Sequence, residues 1–114
     1  MLNILQYHRA ASLDEAMELL QKNRMNQIMG GMLWLRMQER TIPVAIDLCD
    51  LHLDTIQEDE NGFLIGAMTS LRSLETHEGL RKAYGTLLQD ACKDIVGVQL
   101  RNTATLGGSL YSRF

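Results

Sequence analysis

The chain is short of proline and cysteine, and it has no long run of one charge and no long apolar stretch. Each shortage closes off a class of protein. Two cysteines, Cys49 and Cys92, lie far apart and belong to no Cys-x-x-Cys pair, so neither a disulfide scaffold nor a zinc site is expected. The formal net charge of −3 is scattered along the sequence, which argues against nucleic acid as a partner because phosphate binding needs a basic face. No apolar run approaches the length of a membrane span, and the start MLNILQYHRAAS lacks the pattern of a signal peptide. A cytoplasmic protein without membrane contact is the expectation. Pro43 is the only proline, and no low-complexity linker or internal repeat interrupts the chain.

What is present is an ordinary globular composition. An apolar fraction of 46% over 114 residues supports one modest core, near the size at which partners help. The first half reads strand, helix, strand, helix, strand. LNILQYHRA is an edge-type strand. SLDEAMELLQKN carries a helix signature, with Ser12 as cap, Glu15 three residues later and an apolar face of Leu13, Ala16, Met17, Leu19 and Leu20. RMNQIMGG ends a short strand in glycine, MLWLRMQER reads as a helix sharing Leu33, Trp34 and Met37, and TIPVAIDLCDL is the next strand. This order predicts a small, partly parallel sheet.

The second half changes character, with a seam near residues 50–55. A hairpin is predicted from a strand ending near Gln57, a turn through Asp59, Glu60, Asn61 and Gly62, and the strand FLIGAM. Thr69 or Ser70 caps one or two short helices. TLLQDACKDIVG makes a better one, apolar at Leu87, Leu88, Ala91, Cys92 and Ile95. The closing run VQLRNTATLGGSLYSRF reads as strand-like pieces around a Gly-Gly turn.

Two glycine pairs stand out. Gly30-Gly31 lies between a strand and a predicted helix, where backbone N–H groups can converge on an anion such as a pyrophosphate; taken alone, a plain tight turn is the favoured reading. Gly107-Gly108 is flanked by Thr105 and Ser109, whose hydroxyls could hold phosphate or sugar oxygens, with Gln99, Arg101 and Asn102 upstream. A glycine-rich turn with Arg101 and Asn102 facing solvent or fixing the turn is equally compatible. The other tempting residues read as structural: His8, His52 and His77 share no metal spacing, Cys49 and Cys92 pack, and Glu58-Asp59-Glu60 is a solvated hairpin tip. Met17, Met25, Met29, Met37 and Met68 are expected in the core, as is Trp34.

Taken in order, Gly30-Gly31, Pro43, Ile46-Asp47-Leu48, Ile65-Gly66-Ala67, Thr69, Gln99, Arg101-Asn102, Ala104-Thr105 and Gly107-Gly108 resemble the FAD-binding subunit of the molybdenum hydroxylases, the relatives of xanthine, carbon monoxide and nicotinate dehydrogenases. The resemblance implies an α+β chain, α/β-like in its first half, with the PCMH-type FAD-binding fold. Residues 1–53 would form a first subdomain and 54–114 the start of a truncated second one, the two clamping FAD. It implies that Gln27, Ile28, Met29, Gly30, Gly31, Met32, Leu33 and Trp34 wrap the pyrophosphate. Ile95 would contact the flavin region, and Thr105, Leu106, Gly107, Gly108 and Ser109 would touch the same cofactor.

No catalytic residue and no metal ligand is expected in this stretch, which would not act alone. The implied role is an oxidoreductase component passing electrons from iron–sulfur clusters through FAD to NAD or another acceptor. Its implied partners are a molybdenum-cofactor subunit and a 2Fe-2S subunit. Met32 and Leu33 stand where the family carries side-chain oxygens, and the chain stops at Phe114. These departures keep a second reading open: a cofactor-free scaffold or subunit-docking module of the same family, with exposed apolar surface driving self-association.

Overall fold

A computed structural model describes residues 1–32 and 35–112. The chain is α+β and divides into two compact units, Met1–Leu53 and Asp54–Phe114.

The first unit is built on three parallel strands, β1 (Asn3–Arg9), β2 (Gln27–Met29) and β3 (Thr41–Asp47), in the order β1-β3-β2. Helix α1 (Leu13–Lys22) is the crossover that a parallel β1–β2 connection requires. Its start is as the sequence implies. Ser12 Oγ accepts from the Glu15 amide at 3.1 Å, and Glu15 reaches back to the Ala11 amide and to the His8 ring. The His8 contact, with the Ala11 bond behind it, holds the Glu15 carboxyl below the ordinary carboxylate range.

β3 is central and carries the core, with Ile42, Ala45 and Ile46 fully buried beside Ala10 and Ala16. Burying each isoleucine contributes about 1.5–3 kcal/mol. Pro43 lies inside this strand. The pairing with β1 runs from Ile4↔Ile42 to Gln6↔Val44, with no Leu5–Pro43 pair, as a residue without an N–H dictates. On the other side β2 is too short to reach Val44. There the buried Asn26 side chain takes its place, accepting from the Val44 amide at 3.1 Å and donating to Leu19 O at 2.7 Å.

Several expectations are corrected here. The helix expected from MLWLRMQER is, among the described residues, a single 3₁₀ turn, Leu35–Met37. Leu33 and Trp34 lie outside the described residues. Met37 is 67% exposed, and Met17, Met25 and Leu13 also face solvent, so none is core. Cys49 is exposed as well.

The second unit opens with a hairpin, β4 (Ile56–Asp59) and β5 (Gly62–Ile65). β4 runs on to Asp59, so the turn contracts to Glu60-Asn61. The Asp59 carboxylate accepts from the amides of Asn61 and Gly62, and Gly62 adopts a φ of 145° that side chains avoid. Five short helices follow: α2 (Leu71–Thr76), α3 (Glu78–Tyr84), α4 (Leu87–Cys92), α5 (Val98–Thr103) and α6 (Leu106–Ser112). Ser70 caps α2 and His77 caps α3, each accepting an amide at 3.1 Å.

Leu71, Leu74, Leu80, Cys92 and Ala104 form the core of this unit. Burial raises the Cys92 thiol pKa, and the nearby Glu75 charge adds to it. Leu87 is exposed, so the apolar face read for α4 narrows to Cys92 and the half-buried Leu88. Over its described residues the closing run is helical rather than strand-like, and among them only the isolated bridge Ser70↔Thr105 has strand pairing. Among the described residues no helix is long and apolar enough to cross a membrane.

Candidate functional site

The first glycine pair follows β2 directly, at the C-terminal end of a parallel strand, where open α/β sheets place ligands. Gly30, Gly31 and Met32 are half-buried, and among the described residues no group accepts a hydrogen bond from their three amides. Met32 has a φ of 66°, the left-handed region, at a cost of about 1–2 kcal/mol for a residue with a Cβ. Its carbonyl accepts from the Arg36 amide at 3.0 Å, and the 3₁₀ turn at Leu35–Met37 is closed by Gln38 N donating to Leu35 O at 3.1 Å. Consecutive amides that have no acceptor among the described residues, at a left-handed step, form the kind of concave donor set that takes anionic oxygens. The residues present therefore fit the pyrophosphate of a dinucleotide through backbone alone, without the side-chain oxygens that Met32 lacks.

Within the predicted segment, Gln27, Ile28 and Met29 also make contacts within the sheet. Gln27 Oε1 accepts from Arg40 at 3.0 Å and its Nε2 donates to Ile28 O, while Gln27, Ile28 and Met29 pair with Ala45, Ile46 and Asp47. Beside the loop, the neighbouring strand ends carry a satisfied polar cluster. The Tyr7 hydroxyl donates to Asp47 at 2.5 Å, and this bond chiefly pushes its pKa up to about 12. Arg9 holds Asp50 through two hydrogen bonds, depressing the Asp50 carboxyl. The exposed Cys49 thiol is pushed up, first by desolvation and then by Asp47, so it is not an activated nucleophile.

The second glycine pair is of a different kind. It forms the first turn of α6, and every amide from Leu106 to Ser109 has an acceptor within the chain. Leu106 donates to Thr69 O at 2.9 Å, Gly107 to Ala67 O at 2.8 Å, Gly108 to Thr105 Oγ1 at 3.1 Å and Ser109 to Thr105 O at 3.0 Å. Gly107 is required by this packing, since a Cβ there would stand 2.9 Å from the Ala67 carbonyl oxygen. The amides of this pair serve the fold, and beside them lie the half-buried Ser109 and the buried Thr105, whose hydroxyl accepts from the Gly108 amide.

Ile95 lies in the turn between α4 and α5. Its amide donates to Cys92 O at 2.9 Å, and its carbonyl accepts from Arg101 Nη1 at 3.0 Å. Arg101 is neither solvent-facing nor a plain turn residue, being 5% exposed. Its Nε donates to Glu75 Oε2 at 3.0 Å, and the same oxygen receives Arg72 at 3.0 Å. Burial works to raise the Glu75 carboxyl, but the two guanidinium hydrogen bonds outweigh it and hold the group below its ordinary value. No sequence signal marks Glu75 as the partner, because a lone glutamate on a short helix looks like any surface residue.

Comparison with known proteins supplies the context. A family model described as "FAD binding domain in molybdopterin dehydrogenase" matches residues 3–113. Among solved structures, a Cu,Mo-CO dehydrogenase in its cyanide-inactivated form matches at 26% identity and a TM-score of 0.86, over 98% of this chain and 41% of that one. Carbon monoxide dehydrogenase from Hydrogenophaga pseudoflava, in a form lacking the Mo-pyranopterin moiety of the molybdenum cofactor, matches at 28% identity and a TM-score of 0.81, over 93% and 39%. Quinoline 2-oxidoreductase from Pseudomonas putida 86 has the same fold, with 24% identity and a TM-score of 0.81 over 93% and 39%. The chain spans about two-fifths of the length of these chains. A search of curated proteins finds no match. With a family model spanning nearly all of the sequence and the fold shared over the same length, the chain belongs to the FAD-binding domain family of the molybdopterin dehydrogenases, and its cofactor is FAD.

Proposed function

We propose that the chain binds FAD within a molybdenum-containing hydroxylase or dehydrogenase and serves there as an electron-transfer component. The observation that carries this reading is the set of three adjacent amides, Gly30 to Met32, that have no acceptor among the described residues and sit at the end of a parallel strand. In this reading those amides hold the pyrophosphate oxygens, with flanking contacts from Gln27, Ile28, Met29, Leu33 and Trp34. In the second unit, Ser109 and the Thr105 hydroxyl lie against cofactor oxygens, Leu106, Gly107 and Gly108 flank them, and Ile95 supplies apolar contact. The bound flavin supplies the redox chemistry, accepting electrons from an iron–sulfur partner and passing them to NAD or another acceptor. A 2Fe-2S subunit and a molybdenum-cofactor subunit are the partners that role requires. The chain's own residues bind and orient, and none is assigned a proton or a bond to break.

An absorbance and fluorescence titration with FAD, using FMN as control, tests the reading. Saturable binding of FAD and not of FMN is the expected result, since FMN lacks the pyrophosphate. Equal binding of both would remove the pyrophosphate assignment, and binding of neither would refute the function.

A further inference from the structure

Unit 2 contains a strained turn between α4 and α5. Val96 has a φ of 48°, a conformation that is an outlier for a β-branched residue, and yet its side chain is 75% exposed. Strain of this kind persists only where the surroundings over-determine it, and it concentrates at functional sites. Here the turn is held by a side chain from the following helix. The Arg101 guanidinium donates to Ile95 O at 3.0 Å, while its backbone amide makes the ordinary first-turn bond of α5 to Gly97 O at 3.0 Å. The guanidinium is itself aimed by Glu75, which Arg72 anchors in turn. A buried ion pair is weak evidence for stabilisation, so this network calls for a geometric reason. The planar fork of an arginine provides one, because it can serve a carboxylate and a carbonyl at once from a single fixed plane.

We propose that Arg101 is a positioning residue for FAD: without touching the cofactor, it holds the Ile95–Gly97 turn in the left-handed form whose exposed apolar surface, Val96 included, lies against FAD. This rests on the FAD-binding reading above. The turn is the contact, and Arg101 sets its shape.

The test is FAD affinity and melting temperature of the full chain in four forms: parent, Arg101→Lys, Val96→Gly and the double variant. A lysine retains charge beside Glu75 but has a single ammonium in place of the fork. Glycine adopts the left-handed turn without being held. Arg101→Lys is expected to weaken FAD binding at least tenfold in the parent and less than threefold in the Val96→Gly background, a coupling that a double-mutant cycle reads directly. Leu74→Val, in the core of the same unit and outside the Ile95–Gly97 turn, serves as the stability control. It should lower the melting temperature and leave FAD affinity within twofold. The proposal is overturned if Arg101→Lys binds FAD as the parent does, if its loss is the same with and without Val96, or if Leu74→Val weakens FAD in proportion to its melting temperature. A parent chain that binds no FAD overturns the functional reading itself and this proposal with it, and the two failures are thereby told apart.

Discussion

Gly30-Gly31 leaves its amides without an acceptor among the described residues, whereas the amides around Gly107-Gly108 each have one within unit 2. In sequence the two pairs look like duplicates, each beside apolar residues and each at a change of element. The difference shows that glycine answers two separate demands. In the first unit it leaves backbone donors accessible at a strand end. In the second it lets a helix start press against the Ala67 carbonyl. A glycine pair therefore reports close approach, and only the hydrogen-bond accounting tells whether a ligand or the chain itself approaches.

Four substitutions sharpen or break this comparison. Gly107→Ala places a Cβ 2.9 Å from backbone that cannot swing away, so it should destabilise unit 2. Overpacking of this kind costs about 1–3 kcal/mol, and urea denaturation followed by circular dichroism measures it. An unchanged midpoint would show that the α6 start is not packed as described. Gly31→Val should leave the fold intact and weaken FAD binding about tenfold or more, roughly 1.4 kcal/mol or above, by standing between the amides and the pyrophosphate. If its affinity matches the parent's, the first loop is a plain turn.

Thr105→Val removes the side-chain acceptor of the Gly108 amide and should cost about 1 kcal/mol in stability, as lost N-caps do. A thermal melt checks it. The smallest effect is expected from Met32→Gly. Releasing the left-handed strain offsets the greater freedom of the unfolded chain, leaving a stability change within about 1 kcal/mol. FAD affinity should stay within threefold, because the proposed contacts are made by the backbone. A large loss of affinity would instead assign the Met32 side chain to the site.

Much of the first unit was legible in its residues. Ser12 with Glu15 marked the start of α1, the run into Gly30 marked β2 and the run TIPVAIDLCDL marked β3, because these signals act locally. The stretch after Gly31 was not. Its apolar spacing suits a helix, but the described part forms only a 3₁₀ turn, between a left-handed Met32 and the return into β3 at Thr41. The closing run misled in the opposite sense. Val98, Thr103, Thr105 and two glycines are poor helix formers, and propensity favours strand or turn. Helix α6 exists because Thr69 and Ala67, distant in sequence, accept the amides of its first residues. The candidate site divides the same way. The first loop could be read as an anion cradle, while Arg101 looked like a surface residue because its partners, Glu75 and the Ile95 carbonyl, are fixed by tertiary structure alone.

The anchoring of α6 also bears on how unit 2 assembles. A seven-residue helix containing two glycines cannot nucleate by itself in water, so its helicity is a late, long-range event. Exchange of the Leu106 and Gly107 amide hydrogens should then require the 67–70 segment to come away as well, at the free energy of opening the whole unit. Those two protons are clocks for the cooperative unfolding of the second half of the molecule.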